Sequence, residues 1–108
     1  VTLELPAGKL DAGEDRLACV KRELREETGY TAKSIKHLLD YWPTCAFSDE
    51  CIRLYTAAGL KPGRVNPDHD EFIEAVAIPY KEALGLVRKG RIKDSKTIIA
   101  LLAARRLP

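Results

Sequence analysis

The apolar positions of this chain follow two rhythms, broken by prolines and glycines. Val1 to Leu5 show a β-rich alternation that stops at Pro6, and Pro6-Ala7-Gly8 breaks the strand. Lys9 to Gly13 reads as a loop. From Glu14 to Thr28 the spacing changes to three and four, with Leu17, Val20, Leu24 and Thr28 along one face. That periodicity predicts an amphipathic helix, and Gly29 follows as its left-handed stop. Alternation returns at Ser34–Tyr41, ended by Pro43, and again at Cys51–Ala58. Both segments read as strands. Gly59 to Asp70 holds two prolines and two glycines and reads as a loop. Phe72 to Ile78 is the most β-like run in the chain. After Pro79 a short helix is predicted over residues 80–88. Asp94 is the expected cap of a last helix, Ser95 to Arg106, with Ile98, Leu101 and Leu102 as its apolar stripe.

The expected class is α+β, with helices and strands mixed along the chain and no repeat or linker dividing it. At 108 residues one domain is the sensible reading. The chain contains no methionine and opens directly on a strand pattern. The expectation is therefore that further opening strands of the domain lie upstream of Val1.

Composition removes several function classes. The net charge of +2 is too small to argue for nucleic acid, and the basic residues of the last third read as a solvated helical face. No apolar run is long enough for a membrane span, and there is no basic-then-apolar leader. Cys19, Cys45 and Cys51 form no CxxC pair, and only His37 and His69 accompany them, so a zinc site is not expected. An odd cysteine count without a leader points to a reducing, cytoplasmic compartment. The seven aromatic residues are expected mostly in the core, Trp42 among them, although Trp42 has the chemistry to stack a base.

The predicted helix at 14–28 carries an acidic face opposite its apolar one. Glu23 and Glu27 are four apart and Glu26 is three from Glu23, so the three cluster on one side. Like charges at this spacing destabilise an isolated helix by a few tenths of a kcal/mol. A hard divalent cation relieves that repulsion, because carboxylate oxygens are its preferred ligands. Arg22 and Arg25 offset some of it as well. From spacing alone, a metal site and a solvated acidic face both remain open.

The register of the whole segment narrows the choice. Gly8, five residues, Glu14, seven residues, then Arg22-Glu23-Leu24-Arg25-Glu26-Glu27-Thr28-Gly29-Tyr30 resembles the complete Nudix box. All of its fixed positions are present, and a chance match is rarer than roughly 10⁻⁶ at average residue usage. Leu3-Glu4-Leu5-Pro6-Ala7-Gly8-Lys9, Phe47-Ser48-Asp49-Glu50 and Asp70-Glu71-Phe72-Ile73-Glu74 are similar to the ADP-ribose pyrophosphatase branch of that family. Two departures stand out. Tyr30 is aromatic where an aliphatic residue is usual, and Cys45-Ala46 replace the branch's Pro-Gly pair, with Pro43 early.

The resemblance implies a Nudix fold, a mixed sheet between helices in an α/β/α sandwich-like arrangement, incomplete at its N-terminus. It implies Mg²⁺ or Mn²⁺ bound by Glu23 and Glu27, with Glu26 as a further ligand and the Ala7 carbonyl supplying another oxygen. Arg22 and Glu14 would pair and orient the helix. Gly8 and Gly29 would permit the backbone turns at either end, with Gly8 close to substrate. Glu50 would contact metal or ribose, or stand as a strand-edge charge. The general base would be Glu71 first, Asp70 second, or Glu26 in their place. His69 and Cys19 are expected to take no part. The implied reaction is hydrolysis of the pyrophosphate of ADP-ribose, or of a related nucleoside diphosphate derivative, by a homodimer of the complete protein. Beside it stand hydrolysis of another nucleotide sugar or nucleotide, and a nucleotide-sensing domain without turnover. An ordinary acidic helix does not account for Gly8, Glu14, Arg22 and Gly29 falling in register.

Overall fold

The computed structural model describes residues 3–8, 12–63 and 75–106. Its elements are α1 (Arg16–Thr28), β1 (Tyr30–Tyr41), β2 (Ile52–Pro62), α2 (Tyr80–Arg88), α3 (Ser95–Ala103) and a short 3-10 turn at Ala104–Arg106. Helices and an antiparallel β1–β2 sheet in one chain give the expected α+β class. The chain divides into two compact units. One comprises Val1–Leu5, His37–Tyr55 and Ala77–Pro108; the other comprises Pro6–Lys36 and Thr56–Val76.

The second of these units is built on α1. Asp15 caps its start by accepting a hydrogen bond from the Ala18 amide at 3.1 Å. Its end is fixed by Gly29, whose φ of 80° lies in the left-handed region and whose amide bonds back to the Arg25 carbonyl. Cys19 is its buried side chain, Val20 and Leu24 are half-buried, and Leu17 is exposed. The first half of β1 pairs in this unit with the second half of β2.

Strand β2 runs further than its sequence pattern suggests, because the expected loop from Gly59 onward is strand as far as Pro62. Gly59 makes the extension possible. Its φ is +67°, and a Cβ there would fall 2.6 Å from the Cβ of Lys33. Only glycine fits so close an approach between the two strands.

The other unit gathers α2, α3 and the turn end of the hairpin. Asp94 caps α3, accepting from the Thr97 amide at 3.1 Å and from the Thr97 hydroxyl at 2.7 Å. That hydroxyl in turn accepts the Leu5 amide at 3.1 Å. Lys96 reaches both Glu4 and Asp94, each at 3.0 Å. Leu3–Leu5 is therefore tied down by α3, and it is not the strand its alternation predicts. Its backbone bond goes to a side chain, and the described residues offer it no ladder. The Tyr80 hydroxyl donates to the Leu101 carbonyl and joins α2 to α3. Among the described residues, Leu54, Ala83, Ile92 and Thr97 are the buried ones here.

The remaining strand expectation also changes. Ala75–Ile78 carries no regular structure, and Phe72–Glu74 lies outside the described residues. The expectation of a core position fails for Trp42, Phe47 and Tyr80, which are all exposed. Trp42 is 69% exposed and Phe47 92% exposed, because the connection between β1 and β2 carries them off the sheet. Tyr41 is half-buried, and its hydroxyl finds no hydrogen-bond partner among the described residues.

Candidate metal centre

Glu14 precedes the α1 cap, and Arg22 reaches back to it from two turns along the helix. The guanidinium meets Glu14 along one edge, Nε to Oε2 at 2.8 Å and Nη2 to Oε1 at 3.1 Å. Two parallel bonds of this kind fix geometry as well as charge. The opposite tip, Nη1, lies 2.8 Å from Glu23 Oε1 and 3.2 Å from Glu26 Oε2. Arg22 thus links three of the carboxylates of the acidic cluster. All four side chains are mostly shielded, between 14% and 29% exposed.

Glu27 and Glu23 both reach the Ala7–Gly8 dipeptide. The Ala7 amide donates to Glu27 Oε2 at 3.0 Å. At Gly8, a Cβ would stand 2.0 Å from the Glu23 carboxyl carbon. Glycine is needed at position 8 to make room for the Glu23 carboxylate. A left-handed turn is not the reason, since Gly8 is absent from the positive-φ glycines, which include Gly13 and Gly29. Sequence reasoning missed this use of Gly8 because spacing says nothing about which side chain will press against a backbone.

Cys19 lies beneath the cluster, with Arg22 Nη2 at 3.9 Å from its sulfur. Burial pushes its thiol up, the Glu14 charge adds to that, and Arg22 only partly opposes them. Both effects disfavour the thiolate, the form in which a cysteine acts as a nucleophile.

Glu50, Asp70, Glu71 and His69 are the other residues the sequence singles out. Glu50 belongs to the other compact unit, is exposed, and its amide donates to the Ser48 hydroxyl at 3.0 Å. Asp70, Glu71 and His69 lie outside the described residues. In the same unit as Glu50, Asp40, Tyr41, Trp42 and Cys51 line an open cleft of about 450 Å³.

Residues 2–102 match the NUDIX domain family. The chain belongs to the Nudix family. It is 43% identical over 101 residues to the "Methanol dehydrogenase activator" of Bacillus methanolicus, covering 92% of this chain and 55% of that protein. It is 37% identical to the "ADP-ribose pyrophosphatase" of Bacillus subtilis (strain 168), with the same coverage. It is also 37% identical to a "GDP-mannose pyrophosphatase" of Yersinia enterocolitica, covering 92% of this chain and 53% of that protein. The chain thus spans about half the length of the curated relatives it matches. A crystal structure of an "ADP compounds hydrolase" shares the fold with a TM-score of 0.76 at 23% identity, over 89% of this chain and 52% of that one.

Nudix hydrolases generally use divalent metal ions, so the residues can be tested against one. Their donors are hard oxygens, as magnesium and manganese prefer. Gly8 leaves space for the Glu23 carboxylate beside the backbone. Among the described residues no three potential ligands yet enclose a cation. Arg22 Nη1 bonds to Glu23 and Glu26, and the Ala7 amide bonds to Glu27. The donor chemistry is that of a hard divalent ion, and Arg22 and the Ala7 amide are partners of these carboxylates among the described residues.

Proposed function

We propose that the chain carries the catalytic centre of a pyrophosphohydrolase acting on ADP-ribose or a related nucleoside diphosphate derivative. With ADP-ribose the products would be AMP and ribose 5-phosphate. The observation that carries this reading is the convergence of Glu23 and Glu27 on the Ala7–Gly8 dipeptide, within a complete Nudix box. Similarity to an ADP-ribose pyrophosphatase and a GDP-mannose pyrophosphatase supports the substrate class.

Glu23, Glu27, Glu26 and the Ala7 carbonyl are the groups that would hold Mg²⁺ or Mn²⁺. When bound, such an ion neutralises diphosphate charge and lowers the pKa of a coordinated water. The chain's own work is then positioning. Glu14 fixes Arg22 through two bonds, and Arg22 fixes the helix face from which the carboxylates project. Gly8 keeps the backbone clear of Glu23 and would let substrate approach. Water attacking one phosphorus must lose its proton to a base while the bridging P–O bond breaks. Glu71 is the first choice for that base, Asp70 the second, and Glu26 the candidate among the described residues. Glu50 is kept as the sequence's candidate for a contact to metal or ribose.

Residues 1–108 are read as one Nudix domain, cytoplasmic, and dimeric in the complete protein. No helix among the described residues is long and apolar enough to cross a membrane. A monomer in sedimentation equilibrium would reject the dimer.

The deciding experiment incubates the protein with Mg²⁺ and ADP-ribose, nucleotide sugars and nucleoside triphosphates, following released monophosphate. Cleavage of ADP-ribose that disappears in Glu27→Gln supports the reading. Turnover of another substrate alone keeps the chemistry and discards ADP-ribose. Folded protein that binds a nucleotide sugar without cleaving it would indicate a sensing domain. Similarity to a dehydrogenase activator favours a second reading, in which the protein acts on a dehydrogenase. A rise in methanol dehydrogenase rate on mixing, with no turnover of the panel, would select it.

A further inference from the structure

The Arg22 guanidinium has two edges with different work. Nε and Nη2 are committed to Glu14 as a fork, at 2.8 and 3.1 Å. Nη1 is shared between Glu23 and Glu26, at 2.8 and 3.2 Å. The fork is the stronger attachment, because two parallel charge-assisted bonds hold both partners in one plane. The tip is the weaker one, a single nitrogen that, among the described residues, is split between Glu23 and Glu26. Those acceptors are the proposed metal ligands, and a unit positive charge now sits between them.

We propose that Arg22 holds the place of the metal ion, keeping Glu23 and Glu26 together before loading and ceding both to the cation while retaining Glu14. This rests on the metal-binding reading above. The physical reason is charge. Glu23 and Glu26 on one helix face repel each other unless a cation lies between them. A divalent ion brings twice the charge of the guanidinium to oxygens it prefers. The two cations repel at this range, so the Nη1 tip must withdraw as the ion enters. Glu14 is what it withdraws onto. Arg22 is then a positioning residue that also competes with the metal.

Competition and mere orientation predict opposite signs, and Mn²⁺ binding to the full chain by isothermal titration calorimetry separates them. If Arg22 competes, Arg22→Gln tightens Mn²⁺ binding by about fivefold, the scale of one partly shielded ion pair. Glu14→Gln loosens it by a similar factor, since the freed guanidinium then turns its charge on Glu23 and Glu26. If Arg22 only orients the helix, both variants weaken binding, and that result overturns the proposal. Arg22→Gln also lowers the metal-free melting temperature, and Mn²⁺ restores more of it than in the unmodified chain. Should Arg22→Gln fail to fold, Mg²⁺ titration of the ¹⁵N-labelled unmodified chain answers instead. The Arg22 Nη1 resonance is expected to shift on saturation while Nε stays in place, and an unmoved Nη1 overturns the exchange. Absence of any metal binding by the unmodified chain would remove the metal reading itself, and the exchange with it.

Discussion

Lys96 and Arg22 each stand between carboxylates, one in each compact unit. Lys96 lies between Glu4 and Asp94, and Asp94 is further engaged by the amide and hydroxyl of Thr97. Burial alone would push the Asp94 carboxyl up, but the bonds from Thr97 and Lys96 outweigh it and hold the carboxyl below its usual range. Burial would likewise lower Lys96, and the bonds to Glu4 and Asp94 outweigh it and raise the amine. Both ions are stabilised by their surroundings, as a structural network requires. Around α1 one guanidinium serves Glu14, Glu23 and Glu26, with Glu27 alongside on the Ala7 amide. Among the described residues three carboxylates there share one guanidinium. The difference teaches how to tell a brace from a site. Lys96 fastens a segment distant in sequence, from α3 to Glu4, whereas Arg22 gathers carboxylates of its own neighbourhood, the arrangement on which the proposed metal site rests.

The largest effect expected from this contrast is on Glu27. Its carboxylate accepts the Ala7 amide, a bond that Gln can still accept, so Glu27→Gln should leave the melting temperature nearly unchanged. Turnover with Mg²⁺ should fall by roughly 10²–10³-fold, the scale of removing one charge-stabilising group. Equal losses of stability and activity would place Glu27 in a brace like that of Asp94. Next comes Gly8→Ala. Its new Cβ would meet the Glu23 carboxyl group at 2.0 Å, the mobile end of a long side chain. The fold should therefore survive while Glu23 is displaced. An activity loss of about tenfold or more is expected in the same monophosphate assay, since misplacements near 1 Å can cost roughly 10². Full activity would show that Glu23 does not need its place beside residue 8.

The acidic site is legible in the sequence because its residues sit at fixed spacing on one helix, and helix geometry turns spacing into proximity. Helices α1, α2 and α3 are legible for the same reason, with Gly29 marking the end of the first and Asp94 the start of the last. The tie between Leu5 and Thr97 is not legible, since it joins positions far apart in sequence through one hydroxyl. Neither is the strand beyond Gly59, where a glycine that usually signals a loop instead makes room for the Lys33 side chain. Thr97→Val sharpens the brace side of the comparison and is third in size. It removes the hydroxyl that accepts from the Leu5 amide and donates to Asp94, at a site only 3% exposed. The expected cost is about 1–3 kcal/mol in urea unfolding. Turnover per folded molecule should stay constant, and a loss of turnover would tie this brace to catalysis.

The smallest effect is the charge part of the Asp94 cap, and pH isolates it. Asn caps a helix about as well as Asp, so Asp94→Asn keeps the Thr97 bond and deletes only the charge facing Lys96. Asp94 has a lowered folded pKa, so its ionic contribution is present above the ordinary aspartate value of about 4 and is lost as pH falls through the lower folded value. Lys96 has a raised folded pKa, so its contribution is present below the ordinary lysine value of about 10.4 and is lost as pH rises through the higher folded value. The pair thus stabilises the fold across the whole neutral range and fails only at the extremes. Both side chains are 20% exposed, so solvent screening limits the cost of Asp94→Asn to about 1 kcal/mol or less at neutral pH. Urea unfolding repeated at falling pH should show that difference shrink once aspartate protonates in the folded state. A gap that persisted unchanged into strong acid would mean that the substitution disturbs something other than the charge of Asp94, and would reject the ionic contribution.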